Sequence, residues 1–168
     1  MKTMTTESRQ QPAPPGGLLK HLLGLPKFLY RARLGFLLGH RFLLLVHEGR
    51  RTGRRHETPL EVIRYDAAKQ EAVVAAGWGR KTQWLHNVEA GLAREVWIGR
   101  DRYVPTVRTL DPEEAARLLT WYEDHSGLPK SAVRKVLSRL LGWAYDGTPD
   151  ALRRAAEQLP LLGFSPRP

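Results

Sequence analysis

"RFLLLVHEGRRTGRRHETPLEVIRY", residues 41–65, sets two apolar runs on either side of a turn that holds four arginines. Arg41 to Val46 is a short apolar run. Glu57 to Tyr65 alternates, with Leu60 and Val62 in phase and Ile63 out of it. Two such runs around a glycine-bearing connection predict a β-hairpin, and Gly53 supplies the permissive backbone of its turn. Arg50, Arg51, Arg54 and Arg55 repel one another there, a cost that a polyanionic ligand would relieve. The Thr52 hydroxyl and the amides around Gly53 add neutral donors suited to a phosphate or carboxylate. A solvated basic loop is the alternative.

The rest of the chain extends this pattern. A third strand is expected at Glu71–Ala76, ending at "GWG". "RKTQWLHNVEAG" then reads as a helix with Trp84, Leu85 and Val88 on one side and Gly91 after its end. Strands at Arg94–Ile98 and Tyr103–Leu110 flank a tight "GRDR" turn. Asp111 as N-cap, Pro112 at the first helical position and Glu114 as capping partner open the next helix, whose apolar face is Ala115, Leu118, Leu119 and Tyr122. Helices over Lys130–Leu141 and from Thr148 to Leu159 follow, and "LPLLGFSP" returns as a last strand. About six strands in a mostly antiparallel sheet with flanking helices make an α+β protein, a small barrel.

Length and charge bound the function. At 168 residues the chain is expected to form one domain over residues 16–168, preceded by a disordered tail at residues 1–15. Lys and Arg number 27 against 17 Asp and Glu, a net charge of +10, which leaves nucleic acid, anionic lipid and phosphate-bearing small molecules open as partners. There is no cysteine, which excludes disulfides, thiolate zinc sites and cysteine nucleophiles and fits a cytoplasmic setting. "LGFLLGHRFLLLV" is broken by His40 and Arg41 and is too short to span a bilayer, and the N-terminus lacks the apolar core of a secretory signal. Residues 16–34 read as one or two short basic amphipathic helices, split near Pro26, either a peripheral membrane contact or a cover over one end of the barrel.

A second informative stretch is "AAGWGRKTQW", residues 75–84, where glycines at a strand end allow close approach of a ligand and Arg80 and Lys81 flank a helix start. The six histidines show no i, i+4 pair and no carboxylate at ligand spacing, so no metal site is expected. The carboxylates near Asp111 are explained by capping. A basic nucleic-acid-binding module is the alternative function from another class, but no helix-turn-helix, zinc-ligand set or aromatic-striped strand supports it, and no nucleic-acid partner is expected.

Taken in order, "GRRTGRRHETPLEV", "EAVVAAGWGRKTQWLHNVEAG" and "REVWIGRDRYVPTVRTLDPEEAARLL" resemble the deazaflavin-dependent nitroreductase and quinone reductase family. The resemblance runs from about Phe42 to about Leu119. It implies a split β-barrel and an oxidoreductase that passes a hydride from reduced coenzyme F420 to a quinone, nitro or enone acceptor. Gly49, Arg50, Arg51, Thr52 and Gly53 match the element that holds the cofactor's phosphate and polyglutamate tail, with Arg51 where lysine is more common. Arg54, Arg55 and His56 stand where the family often has another basic residue. Gly77, Trp78, Gly79, Arg80 and Lys81 match the glycine-rich loop along the cofactor's phosphate and ring, and Trp84 with Asn87 match the Trp-x-x-Asn that follows. Tyr122 and Tyr145 are candidate proton donors. The same fold also accommodates FMN, haem or a fatty acid, and barrels of this type often form homodimers.

Overall fold

The computed structural model describes residues 27–77 and 79–168, with the backbone but not the side chain of Arg80. The expected tail, and the amphipathic segment before Lys27, lie outside the described residues. Residues 27–31 are helical.

The strands are β1 (Phe42–Glu48), β2 (Arg55–Asp66), β3 (Glu71–Ala75), β4 (Ala93–Ile98), β5 (Asp101–Tyr103), β6 (Pro105–Thr109) and β7 (Leu161–Pro166). They form one antiparallel sheet in the order β5-β4-β1-β2-β3-β7-β6. The single strand expected over Tyr103–Leu110 is two. β5 sits at one edge of the sheet and β6 at the other, with only Val104 between them. Pro105, which has no N–H to give a ladder, stands at the break. This step draws the two edges of the sheet together into a nearly closed barrel. The Tyr103 hydroxyl donates to the Phe164 carbonyl at 3.4 Å, and the Arg167 amide donates to the Val104 carbonyl at 3.0 Å.

The barrel is split along β2. β1 pairs with β2 over its whole first half, from Glu48↔Arg55 to Phe42↔Glu61. β3 joins β2 only from Val62 to Asp66, with a register shift between Val62 and Arg64. Residues 55–61 of β2 therefore keep one free edge. The Gly49 amide bonds the Arg54 carbonyl and the Val62 amide bonds the Arg41 carbonyl. By antiparallel alternation the backbone groups of Arg55, Glu57, Pro59 and Glu61 turn toward that free edge.

Two apolar layers hold the molecule. Inside the barrel, Leu43, Leu45, Val74, Ile98 and Phe164 are fully buried, each worth about 2 kcal/mol of transfer free energy. Helix α1 (Gln83–Glu89) adds Trp84, Leu85 and Val88 to this cluster. On the outer face, Val73 and Leu161 pack beneath α2 (Pro112–His125), α3 (Lys130–Leu141) and α4 (Pro149–Gln158). The Asp111 side chain accepts from the Glu114 amide at 2.8 Å, and Thr148 caps α4 through the Ala151 amide at 3.3 Å. Glu114 does not reach back to complete the capping pair. Its carboxylate binds Arg108 at 2.8 Å.

Arg108 on β6 also grips Glu71 on β3, with bonds of 2.7 and 2.8 Å, across the intervening strand β7. The residue crossed is Gly163, which pairs with both Val73 and Arg108. A Cβ there would lie 2.7 Å from Glu71 Oε2, so the missing side chain is what lets the ion pair span three strands. No helix among the described residues is long and apolar enough to cross a membrane.

Candidate functional site

The β1–β2 connection, residues 49–54, folds back on itself. The Gly49 carbonyl accepts from the Thr52 amide at 3.2 Å and the Gly53 amide at 2.7 Å. Gly53 has φ +64° with open space beyond its Cα, so its requirement is conformational. Gly49 is constrained by packing: a Cβ would lie 2.8 Å from Thr52 Oγ1 and 3.1 Å from His56 Nε2. The Thr52 hydroxyl accepts from the Arg54 amide at 3.3 Å, closing the tip.

This tip leaves three of its four guanidinium groups without acids among the described residues. Arg55 approaches Glu57 at 3.7 Å and Glu95 at 3.9 Å. Among the described residues, Arg50, Arg51 and Arg54 meet no carboxylate within ion-pair distance. Like charges about 6 Å apart in water repel by roughly 0.7 kcal/mol before salt screening. The fold tolerates that cost, and an anion would reverse it.

Arg50 is fixed by neutral acceptors on α1. Its amide donates to Asn87 Oδ1 at 3.1 Å, and its guanidinium donates to Gln83 Oε1 at 3.1 Å and Asn87 Oδ1 at 3.5 Å. The Asn87 Nδ2 then faces His47 Nδ1 at 3.0 Å, while His47 Nε2 lies 2.9 Å from Thr58 Oγ1. His47 and Asn87 are 3% and 4% exposed. Burial first, and the stacked His56 second, hold the His47 imidazole down at about 4. It is neutral at physiological pH.

Beside this network lies a cavity of about 460 Å³. One wall is the first turn of β2, with Arg55, His56, Glu57 and Thr58. A second is α1, with Gln83, Trp84 and Asn87. The helical residues 27–31 supply Lys27 and Arg31. Those two residues reach Glu57 at 3.7 and 2.9 Å, and the Tyr30 hydroxyl donates to the Phe42 carbonyl at 2.6 Å. The cavity thus lies beside the first residues of β2, and its cations Lys27, Arg31 and Arg55 gather around Glu57.

The structure brings Arg50, Arg55, Trp84 and Asn87 together, with Arg51, Thr52, Gly53 and Arg54 on the exposed tip beside them. Gly77 packs elsewhere: a Cβ on it would meet Leu140 of α3 at 3.7 Å, an ordinary contact. Gly79 has φ +67° and opens a 3-10 turn through Lys81, its carbonyl accepting from the Thr82 hydroxyl at 2.7 Å. Trp78 and the Arg80 side chain lie outside the described residues. Tyr122 and Tyr145 do not line the cavity. They pack in the outer helical layer, on the opposite face of the sheet from the barrel interior. The Tyr122 hydroxyl donates to Glu61 at 3.1 Å, and burial, then Glu61, pushes its phenol up to about 12. Burial also raises Tyr145, beside Glu123 and Arg134.

The sequence reading passed over His47, Thr58, Gln83, Lys27 and Arg31. His47 carried a usable signal: it continues the inward series Leu43, Leu45 as a polar residue at a core position.

Several solved structures are similar to this chain. One is an F420-H2 dependent reductase, with 17% identity over 76% of this chain and 96% of that one and a TM-score of 0.41. A second is a protein related to general stress protein 26 of B. subtilis, of the pyridoxinephosphate oxidase family, from Clostridium acetobutylicum, with 11% identity, 83% and 84% coverage and a TM-score of 0.45. A third is a pyridoxamine 5'-phosphate oxidase-related, FMN binding protein from Nostoc punctiforme PCC 73102, with 19% identity, 85% and 78% coverage and a TM-score of 0.44. No curated protein matches the chain. The family described as F420H(2)-dependent quinone reductase matches residues 30–134, a span that contains the arginine tip, α1 and most of the cavity wall. The chain belongs to that family, and with it to the oxidoreductases that use coenzyme F420.

Proposed function

We propose that the chain reduces a quinone, with the arginine tip holding the anionic tail of F420 and the adjoining cavity holding the reacting groups. The observation that carries this reading is the position of the tip. The Arg50, Arg51 and Arg54 guanidinium groups lack carboxylates among the described residues, stand on a closed backbone turn, and adjoin a 460 Å³ cavity. Phosphate and γ-linked carboxylates are the acceptors that arginine forks and exposed amides suit. The residues present fit the group.

The roles divide by position. Arg50, Arg51, Arg54 and Arg55, with the Thr52 hydroxyl, bind the phosphate and carboxylates on the turn that Gly53 permits. Asn87 and Trp84 form the wall behind them. The bound cofactor supplies a hydride equivalent, and the acceptor also takes a proton to become a hydroquinone. Among the donors that line the cavity, the Thr58 hydroxyl and the cations Lys27 and Arg31, which also pair with Glu57, suit the oxygen of a reduced acceptor. Tyr122 and Tyr145 as proton donors would require a route from the outer layer, and the nearer donors are favoured.

Parallel titration of the protein with oxidised F420, FMN and a short duplex DNA at one salt concentration, followed by fluorescence and anisotropy, tests the reading. Micromolar or tighter binding of F420 alone is expected. Turnover of reduced F420 with a quinone, a nitroaromatic and an enone then ranks the acceptors, the quinone being fastest. Preference for DNA would sink the proposal, as would FMN binding more tightly than F420.

A further inference from the structure

The four-member chain Thr58–His47–Asn87–Arg50 is more than packing, because only one arrangement of its protons is consistent with it. Asn87 Oδ1 must accept, since it faces the Arg50 amide at 3.1 Å. Its Nδ2 is therefore the atom 3.0 Å from His47 Nδ1, and Nδ1 has to be unprotonated to accept. The imidazole proton then resides on Nε2 and is donated to Thr58 Oγ1 at 2.9 Å. A half-turn of the Asn87 amide would set a donor against the Arg50 N–H. His47 could meet the exchanged oxygen only by moving its proton to Nδ1 and accepting from Thr58 instead, with both His47 and Asn87 buried.

We propose that His47 is a positioning residue for the arginine tip. By accepting from Asn87 it locks the amide with Oδ1 toward Arg50, and so sets both the backbone and the guanidinium of the first tip arginine before an anion arrives. The inference rests on the reading that the tip binds the anionic tail of F420. Pre-ordering lowers the entropic cost of binding. Loss of His47 therefore weakens the ligand without removing any group that touches it.

The test is a fluorescence titration of the full chain with oxidised F420 at one salt concentration, with thermal melts recorded for each variant. His47→Leu is expected to bind roughly tenfold more weakly. His47→Asn puts an acceptor oxygen near the Nδ1 position and is expected to return to within about threefold of the parent. Combining His47→Leu with Asn87→Ala should weaken binding no further than Asn87→Ala alone, because the two act in series. Should His47→Leu fail to fold, Thr58→Val is a near-isosteric alternative. It releases the imidazole to its other tautomer, and binding should fall about threefold. Arg50→Ala combined with Arg51→Ala separates this inference from the reading beneath it. If that variant loses affinity while His47→Leu or Thr58→Val does not, the positioning role is overturned and the tail site stands. Full affinity in the arginine variant would remove the tail site and the positioning role together. Additive losses at His47 and Asn87, or no rescue by asparagine, would reduce His47 to a general structural part and overturn the proposal.

Discussion

Arg108, on β6, and Arg50, on the β1–β2 connection, meet opposite surroundings. Arg108 spends its fork on two carboxylates, Glu71 and Glu114, in four bonds of 2.7–2.8 Å. Those bonds raise the guanidinium's pKa, with Glu71 contributing most, and hold Glu114 below the usual carboxylate range. Arg50 meets only the neutral oxygens of Gln83 and Asn87 among the described residues, and its charge stays uncompensated. The first arrangement joins β3, β6 and α2. The second holds a cation in place without neutralising it, which is the arrangement an anion-binding group needs. The contrast predicts that perturbing the Arg108 cluster costs stability and spares ligand affinity, whereas perturbing the tip does the reverse.

The sharpest break comes at Gly163. In Gly163→Val the new side chain occupies the path of Glu71 and separates it from Arg108, stranding a carboxylate that is 8% exposed. Stability should fall by about 3 kcal/mol, read as a lowered urea midpoint, while F420 affinity changes by less than about twofold. A large affinity loss with intact stability would erase the distinction. The complementary variant, Arg50→Ala with Arg51→Ala, should weaken F420 by roughly 100-fold, two charged contacts at about 1.4 kcal/mol each. Its stability should stay within about 0.5 kcal/mol of the parent, since both residues sit on an exposed turn and the change relieves repulsion.

A third difference lies in acid sensitivity. The His47 pKa is depressed in the folded protein, from 6.5 to about 4. As pH falls the unfolded chain takes up its proton first, so the stability contribution is complete above about 6.5 and declines toward 4. By pH 5 the loss is roughly 2 kcal/mol. The ring faces Asn87 on α1 and Thr58 and His56 on β2. Urea unfolding at pH 8 and pH 5 measures the slope, which should largely vanish in His47→Asn. A slope that survives the substitution would assign the acid sensitivity to other groups.

Local rules read well here because several signals are local. Asp111 and Pro112 start α2 through a cap and a missing N–H, Gly53 permits the hairpin tip, and the apolar alternation of residues 57–65 sets β2. The arginine tip was legible for the same reason, since four like charges within six residues are visible without a fold. The division of one expected strand into β5 and β6 was not legible, because closure of the barrel decides it and only Pro105 hints at it. The cavity wall was also beyond local reading. Arg31 meets Glu57 across 26 residues, and nothing in the spacing pairs them. Tyr122 and Tyr145 drew attention as phenols near the last helices. Helical periodicity does not say which face of a sheet a helix covers, and these helices cover the outer one.

The smallest effect concerns Gly49, and it tests whether the tip is held by backbone or by its threonine. A Cβ there would lie 2.8 Å from Thr52 Oγ1, and that hydroxyl anchors the Arg54 amide. Gly49→Ala should therefore displace the hydroxyl by a side-chain rotation and release one turn hydrogen bond, at about 1 kcal/mol. F420 affinity should fall by roughly threefold, because Arg54 loses its register while Arg50 keeps its hold on α1. In a Thr52→Ala background the methyl group meets no hydroxyl, so Gly49→Ala should cost about half as much there. If the cost is the same in both backgrounds, the constraint on Gly49 comes from His56 Nε2, 3.1 Å away on the other side. The tip would then be braced against β2 by the histidine stacked on His47.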